Sequence, residues 1–207
     1  MSTKTAYFGM QCFWGSESIF AKVSGVKGTA VGYAGGEGGN PTYRIIKDYT
    51  EVVAVKYDPS AVNYDKLLRV FWKNHDPTVH RKKQYQSAIL WQTEEERDKV
   101  QASYDAAKIK IGKDIETYIK KFDRFYHAED YHQKYWLRCQ DSVLKALNFK
   151  DDKEIIESKL AAKVNAFMAG FDDFELLDQL AVEYAISDDV KKIIKEIAIS
   201  KEHSACH

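Results

Sequence analysis

The chain has 207 residues, enough for one domain with a sizeable core plus a helical appendage. Its 31 basic and 31 acidic side chains cancel, which argues against nucleic acid or an anionic membrane as a partner. No apolar run approaches a membrane span, the start shows no signal or transit pattern, and three widely spaced cysteines make no disulfide framework, so a reduced, cytoplasmic protein is expected.

Residues 5–8 read as a short strand and the segment from Phe13 as an amphipathic helix stopping near Gly25. Cys12 is therefore expected in the first helical turn, where free N–H groups and the positive end of the dipole favour a thiolate. Two aromatics, Phe13 and Trp14, follow it directly. A buried structural cysteine at a helix start is the competing reading.

A strand over Val26–Ala34 ends in a glycine-rich turn, which lacks the Gly-Lys-Ser/Thr ending of a phosphate cradle. Asn40 and Pro41 suit the start of a short helical turn. Thr50–Tyr57 is a strand and Tyr64–Lys73 an amphipathic helix carrying Leu67, Leu68, Phe71 and Trp72. A strand is expected over 85–91, then a long helix capped by Thr93 with Gly112 beyond its end, then a strand over 115–119. This order predicts an α+β fold: a two-layer, split βαβ (ferredoxin-like) core with a mostly antiparallel sheet. Helices alone follow. One opens at Asp151-Asp152 with Ile155, Ile156, Leu160, Val164 and Phe167 at helical spacing, and the last opens at Ser187. The expected organisation is a catalytic unit over 1–140 and a helical extension over 141–207 ending in a mobile tail.

Alternation along the third strand puts Glu51 on the face of Val53, Val55 and Tyr57. A carboxyl there keeps its proton to higher pH and can act as a proton donor. The other reading is a frayed strand start whose carboxylate reaches water. Tyr43 and Tyr85 each sit at the edge of an element, with the phenol free to enter a cleft. His127 and His132 lack a second pair at zinc spacing, so no metal site is expected there. A cysteine hydrolase wants a histidine base beside the thiol, and no local cue for one exists. Thiol redox chemistry fits better.

The motifs Phe8-Gly9-Met10-Gln11-Cys12-Phe13-Trp14-Gly15, Val31-Gly32-Tyr33-Ala34-Gly35-Gly36, Asn40-Pro41-Thr42-Tyr43 and Glu51-Val52-Val53 occur in order, followed by Gln84-Tyr85-Gln86-Ser87-Ala88-Ile89 and Ala128-Glu129-Asp130-Tyr131-His132-Gln133. Over about residues 4–137 the chain resembles the type A peptide methionine sulfoxide reductases. The resemblance implies Cys12 as nucleophile, Glu51 as acid, Tyr43 and Tyr85 as oxygen-binding phenols, and Phe13 and Trp14 as the pocket for the substrate methyl. It also implies action on the S epimer at sulfur, a sulfenic acid condensed to a disulfide by a second thiol, and thioredoxin as reductant with no bound cofactor. Cys206, on the tail, is the expected second thiol, and Cys139 is expected on a packed helix in a structural role. Gln11 stands where the family usually has glycine. The 79–83 loop is short and basic, with His80 where many members carry an aspartate. A different thiol enzyme (a peroxide reductase or hydrolase) and a non-catalytic relative binding a partner through its helical tail are the alternatives.

Overall fold

The structure, a computed structural model, describes residues 2–202. In chain order the first part comprises β1 (Lys4–Gly9), α1 (Phe13–Ala21), β2 (Val26–Ala34), β3 (Thr50–Tyr57), α2 (Tyr64–Lys73), β4 (Ala88–Trp91), α3 (Glu94–Ile111), β5 (Tyr118–Lys121) and β6 (Phe125–His127). The strands form one sheet in the order β5-β4-β1-β3-β2-β6. Neighbours are antiparallel except β4 and β5, which run parallel, so the fold is α+β with a mixed sheet.

The core follows from alternation. Phe8 of β1 pairs with Val53 of β3, and Ala6 with Val55. These side chains bury against Leu67, Leu68 and Phe71 of α2 and Phe20 of α1. Local chemistry fixes the helix ends. Asn63 accepts the Lys66 N–H at 2.9 Å, and Thr93 accepts that of Glu96 at 3.2 Å. The Glu96 carboxylate reaches back to the Gln92 N–H at 2.8 Å, and Gly112 closes α3 at φ 66°. At Gly32 a Cβ would run into the Tyr126 carbonyl, so only glycine lets β6 approach β2.

Several expected elements are displaced. No helical turn follows Pro41; Asn40 turns the chain at φ 36°, and Thr42 and Ile45 exchange backbone hydrogen bonds instead. The strand expected over 85–91 starts only at Ala88, because Lys83–Tyr85 winds into a 3-10 turn. β5 lies three residues later than expected, where Tyr118 pairs with Ala88. The three-residue β6 was too short for periodicity to reveal.

From Tyr135 the described chain is helical: α4 (Tyr135–Arg138), α5 (Asp141–Ala146), α6 (Asp152–Glu157), α7 (Lys159–Met168), α8 (Phe174–Glu183) and α9 (Asp188–Glu202). Ser158 splits the single helix expected from Asp152, capping α7 by accepting the Ala161 N–H at 3.1 Å. Leu137, Leu160, Val164, Phe167, Leu180 and Ile194 build a second core. It is fastened to the first by Ala162 and Ala166 against Ala21, and by two lysines. Lys134 and Glu17 are fully buried and 2.8 Å apart. The Lys134 ammonium also donates to Thr29 O at 2.7 Å, while Glu17 accepts from the Thr29 hydroxyl and the Lys134 N–H, each at 3.0 Å. Lys163 donates to Ala21 O at 2.6 Å and Val23 O at 3.0 Å, closing the C-terminal end of α1.

Candidate active site

β1 leaves the sheet at Gly9, and the chain turns through Gln11 at φ 68° to deliver Cys12 as the N-cap of α1, not inside its first turn. The left-handed backbone at Gln11 explains why a glycine suits this position. Cys12 is exposed, which removes the buried structural reading. The Trp14 and Gly15 N–H groups point at its sulfur and lower its pKa. They are outweighed. The low-polarity wall around the sulfur is the largest influence and raises the pKa, and the charge of Glu51 raises it further. The pull of the helix start toward a thiolate is thus overcome, and the resting group is a thiol.

Glu51 is the second residue of β3, two before Val53, the partner of Phe8, and lies beneath the start of α1. It is 1% exposed. One carboxyl oxygen accepts the Phe13 N–H at 3.1 Å and the other the Gln84 amide at 2.8 Å. Burial pushes its pKa up to about 7 despite both hydrogen bonds and the charge of Lys82. The solvated-strand-end reading is thus excluded, and the sulfur and the acid share one small region.

The 3-10 turn that shortens the fourth strand brings Gln84 to Glu51 and Tyr85 to Tyr43, where the two phenols share a hydrogen bond. Burial raises the Tyr85 pKa, and Tyr43, Glu51 and Cys12 add to the rise. Tyr43 is exposed. Phe13 is buried against Tyr33 and His132, whereas Trp14 is half-buried and stacks on Tyr135 at 3.7 Å with 4° between the planes. The Trp14 indole donates to His132 Nδ1 at 3.2 Å, and burial keeps that histidine neutral against the pull of Glu129.

Sequence reasoning assigned no role to Gln84, Glu129, His132, Gln133 or Tyr135. Glu129 accepts the Tyr43 N–H at 3.0 Å and the Tyr33 hydroxyl at 2.8 Å. Gln133 brackets Val31, accepting its N–H at 2.9 Å and donating to its carbonyl at 2.8 Å. The density of polar groups among aromatics in 125–133 was a visible signal, but their partners lie up to about a hundred residues away. Cys139 is exposed at the end of α4 with its thiol bonded to the Tyr135 phenol, so it is not packed as expected. Cys206 lies outside the described residues. Among those residues, no three histidine, cysteine or carboxylate side chains gather to hold a metal.

A nucleophilic thiol, a proton-holding carboxyl, two phenols and an aromatic wall suit reduction of a polar S=O bond beside an alkyl group. A family model described as peptide methionine sulfoxide reductase matches residues 4–164. The chain belongs to the peptide methionine sulfoxide reductase family. A Drosophila melanogaster peptide methionine sulfoxide reductase is 41% identical over 174 residues, covering 83% of this chain and 70% of its own. The structure of methionine sulfoxide reductase A of Corynebacterium diphtheriae is 35% identical with a TM-score of 0.59, covering 66% of this chain and 74% of that one. Mxr1 from Saccharomyces cerevisiae in complex with Trx2 is 26% identical with a TM-score of 0.50, covering 63% and 84%. The reductase family match extends into α7, the helix whose Lys163 closes α1.

Proposed function

We propose that this reductase converts methionine (S)-S-oxide, free or in peptides, to methionine through a sulfenic acid on Cys12. The observation that carries the reading is the buried Glu51 carboxyl held under the start of α1, close enough for its charge to act on the Cys12 thiol. Attack on the sulfoxide sulfur needs a thiolate, and departure of the oxygen needs a proton. Glu51 meets both needs by taking the thiol proton and passing it to the sulfoxide oxygen. The sulfoxide sulfur–oxygen bond breaks, the protonated oxygen ends bonded to the Cys12 sulfur as Cys–SOH, and the thioether leaves with the electron pair. The one proton used is that of the thiol, so none is drawn from bulk water. Tyr43 and Tyr85 hydrogen-bond the oxygen as charge develops. Phe13 and Trp14 hold the methyl, a thioether–aromatic contact being worth about 0.3–1.5 kcal/mol.

Condensation of the sulfenic acid with a second thiol releases water and forms a disulfide. Cys206 is our choice for that thiol, and the exposed Cys139 beside Tyr135 is the competitor. A thioredoxin then returns both sulfurs to thiols, a role supported by the Mxr1–Trx2 complex. The widely spaced cysteines support a reduced, cytoplasmic setting. The strand order β4-β1-β3-β2 supports the split βαβ, ferredoxin-like reading of the catalytic unit over 1–140. The separate core of the later helices supports an extension from 141.

The test is epimer-resolved turnover of methionine sulfoxide by wild type and Cys12→Ser, with peroxide and an activated ester as control substrates. We expect wild type to consume the S epimer only and the variant to be inert. Equal use of both epimers, or faster peroxide than sulfoxide reduction, refutes the assignment.

A further inference from the structure

We propose that the mouth of this site selects methionine sulfoxides that carry a carboxylate beside them, with Lys82 as the contacting cation. The proposal rests on the reductase reading and names its substrate class. Two loops flank Cys12 and Glu51. Residues 42–48 supply Tyr43, and residues 79–85 supply Gln84 and Tyr85. Between them they carry Arg44, Lys47, Arg81, Lys82 and Lys83 against a single carboxylate, Asp48. The chain as a whole is neutral, so this surplus is local.

What the cations are bound to singles out Lys82. His80 is engaged by Glu116 at 2.9 Å. The Lys83 ammonium is 3.3 Å from the centroid of the Tyr118 ring, within the field of Lys120 and Asp48. Lys82 is exposed, makes no ion pair with a described side chain, and rests 4.9 Å from the centroid of the Tyr85 ring. Its field reaches Glu51, so it lies within electrostatic range of the reacting atoms. Arg44, Lys47 and Arg81 are likewise exposed without a described acidic partner. On the far side of the site, Glu129 is already taken by the Tyr43 N–H and the Tyr33 hydroxyl, and Asp130 is exposed.

The mouth is thus cationic along the Tyr85 side, with an ammonium that lacks its counter-ion against a phenol the substrate oxygen must approach. A substrate carboxylate supplies that counter-ion, whereas a neighbouring lysine meets the uncompensated Lys82 ammonium in a loop rich in like charge. The carboxylate has two possible sources: an acidic side chain next to the oxidised methionine, or the α-carboxylate of the oxidised methionine itself.

The experiment compares kcat/KM for blocked peptides with methionine sulfoxide between two Glu, two Gln or two Lys residues, at about 0.01 M and about 1 M salt. Acetylmethionine sulfoxide and its amide form a second pair. Summing several exposed charge contacts, we expect the Glu peptide to exceed the Lys peptide about tenfold at low salt, mainly through KM. The difference shrinks to within about twofold at high salt, where the screening length is about 3 Å. The double variant Arg81→Glu/Lys82→Glu reverses the order, and it raises the Glu51 pKa, moving the pH profile upward. A gain for the acetylated acid over its amide assigns the α-carboxylate as the source. A gain for the Glu peptide alone assigns the side chain. Glu and Lys peptides turned over equally at low salt would overturn the proposal and leave the reductase reading standing. Failure to reduce any of the peptides or either acetylmethionine sulfoxide derivative would remove that reading and the proposal with it.

Discussion

Replacing Glu51 by Gln tests the proton relay, and its outcome follows from where the proton sits. The Glu51 pKa is about 7, and that of Cys12 is raised above its ordinary value. Below pH 7 the pair holds two protons; above it, one. The proposed relay requires thiolate and carboxylic acid together, which is a one-proton arrangement reached when Glu51 takes the proton of Cys12. Hence kcat/KM should rise through pH 7, reach a plateau, and fall only when Cys12 itself ionises. At pH 6 it is about a tenth of the plateau and at pH 5 about a hundredth. In Glu51→Gln the limb near pH 7 should vanish and the plateau drop by about 10²–10⁴. The assay is single-turnover release of methionine by reduced enzyme at limiting substrate between pH 5 and 9, with Cys12 alkylation followed in parallel. A limb near pH 7 that survives in the variant would assign it to another group. Unchanged alkylation would show that the two groups do not titrate together.

The same carboxyl leaves a mark on stability. Its folded pKa is raised, so its contribution is complete below the ordinary value of 4.5 and is lost as pH rises through about 7. A rise of that size corresponds to about 3 kcal/mol. Denaturant unfolding should show Glu51→Gln gaining about that much relative to wild type between pH 4.5 and 8, and a pH-independent difference contradicts the burial argument.

Cys206→Ser should still release about one equivalent of methionine from the reduced protein by the sulfenic acid route but stop cycling with thioredoxin; continued cycling transfers the role to Cys139 if the added Cys139→Ser change abolishes it, and to the reductant itself if it does not. Gln11→Gly relieves a left-handed glutamine, and after the greater freedom of glycine in the unfolded chain is counted it should stabilise by about 0.5–1 kcal/mol, read as a higher denaturation midpoint. Lys134→Met leaves Glu17 buried without its partner and should cost about 3–5 kcal/mol, with much of the loss recovered in the double variant with Glu17→Met; a cost below 1 kcal/mol in the single variant would show that the pair is not needed.

The sheet and its first helices were legible because their signals are local. Alternation in Thr50–Tyr57 marked both the strand and the side on which Glu51 lies. Asn63, Thr93 and Gly112 announced helix ends through their own backbone chemistry. What was not legible depends on distant partners. Whether Cys12 rests as a thiolate turns on burial as well as on the helix start and Glu51, and burial, the largest influence, depends on what the rest of the fold packs around the sulfur. The 3-10 turn at Lys83–Tyr85 has no periodic signature, yet it carries the amide that holds Glu51. His132 looked like a failed metal ligand because its partner, Trp14, lies 118 residues earlier.

The site asks the fold to tolerate three unfavourable features at one helix start: a buried carboxyl, a left-handed glutamine and a thiol with a raised pKa. Such features persist only where the surroundings over-determine them. Here the surroundings are the later helices and the turn before them. Lys134 grips Glu17 one turn into α1, and Lys163 closes the last carbonyls of the same helix from α7. Tyr135 of α4 stacks on Trp14 at its start. All three grips act on α1, and Lys134 also ties it to Thr29 of β2, so the helical region helps to fix where the helix that carries Cys12 begins. Loosening it should displace the Trp14 and Gly15 N–H groups from the Cys12 sulfur before it unfolds the sheet, because those groups belong to the first turn of α1, the helix it grips.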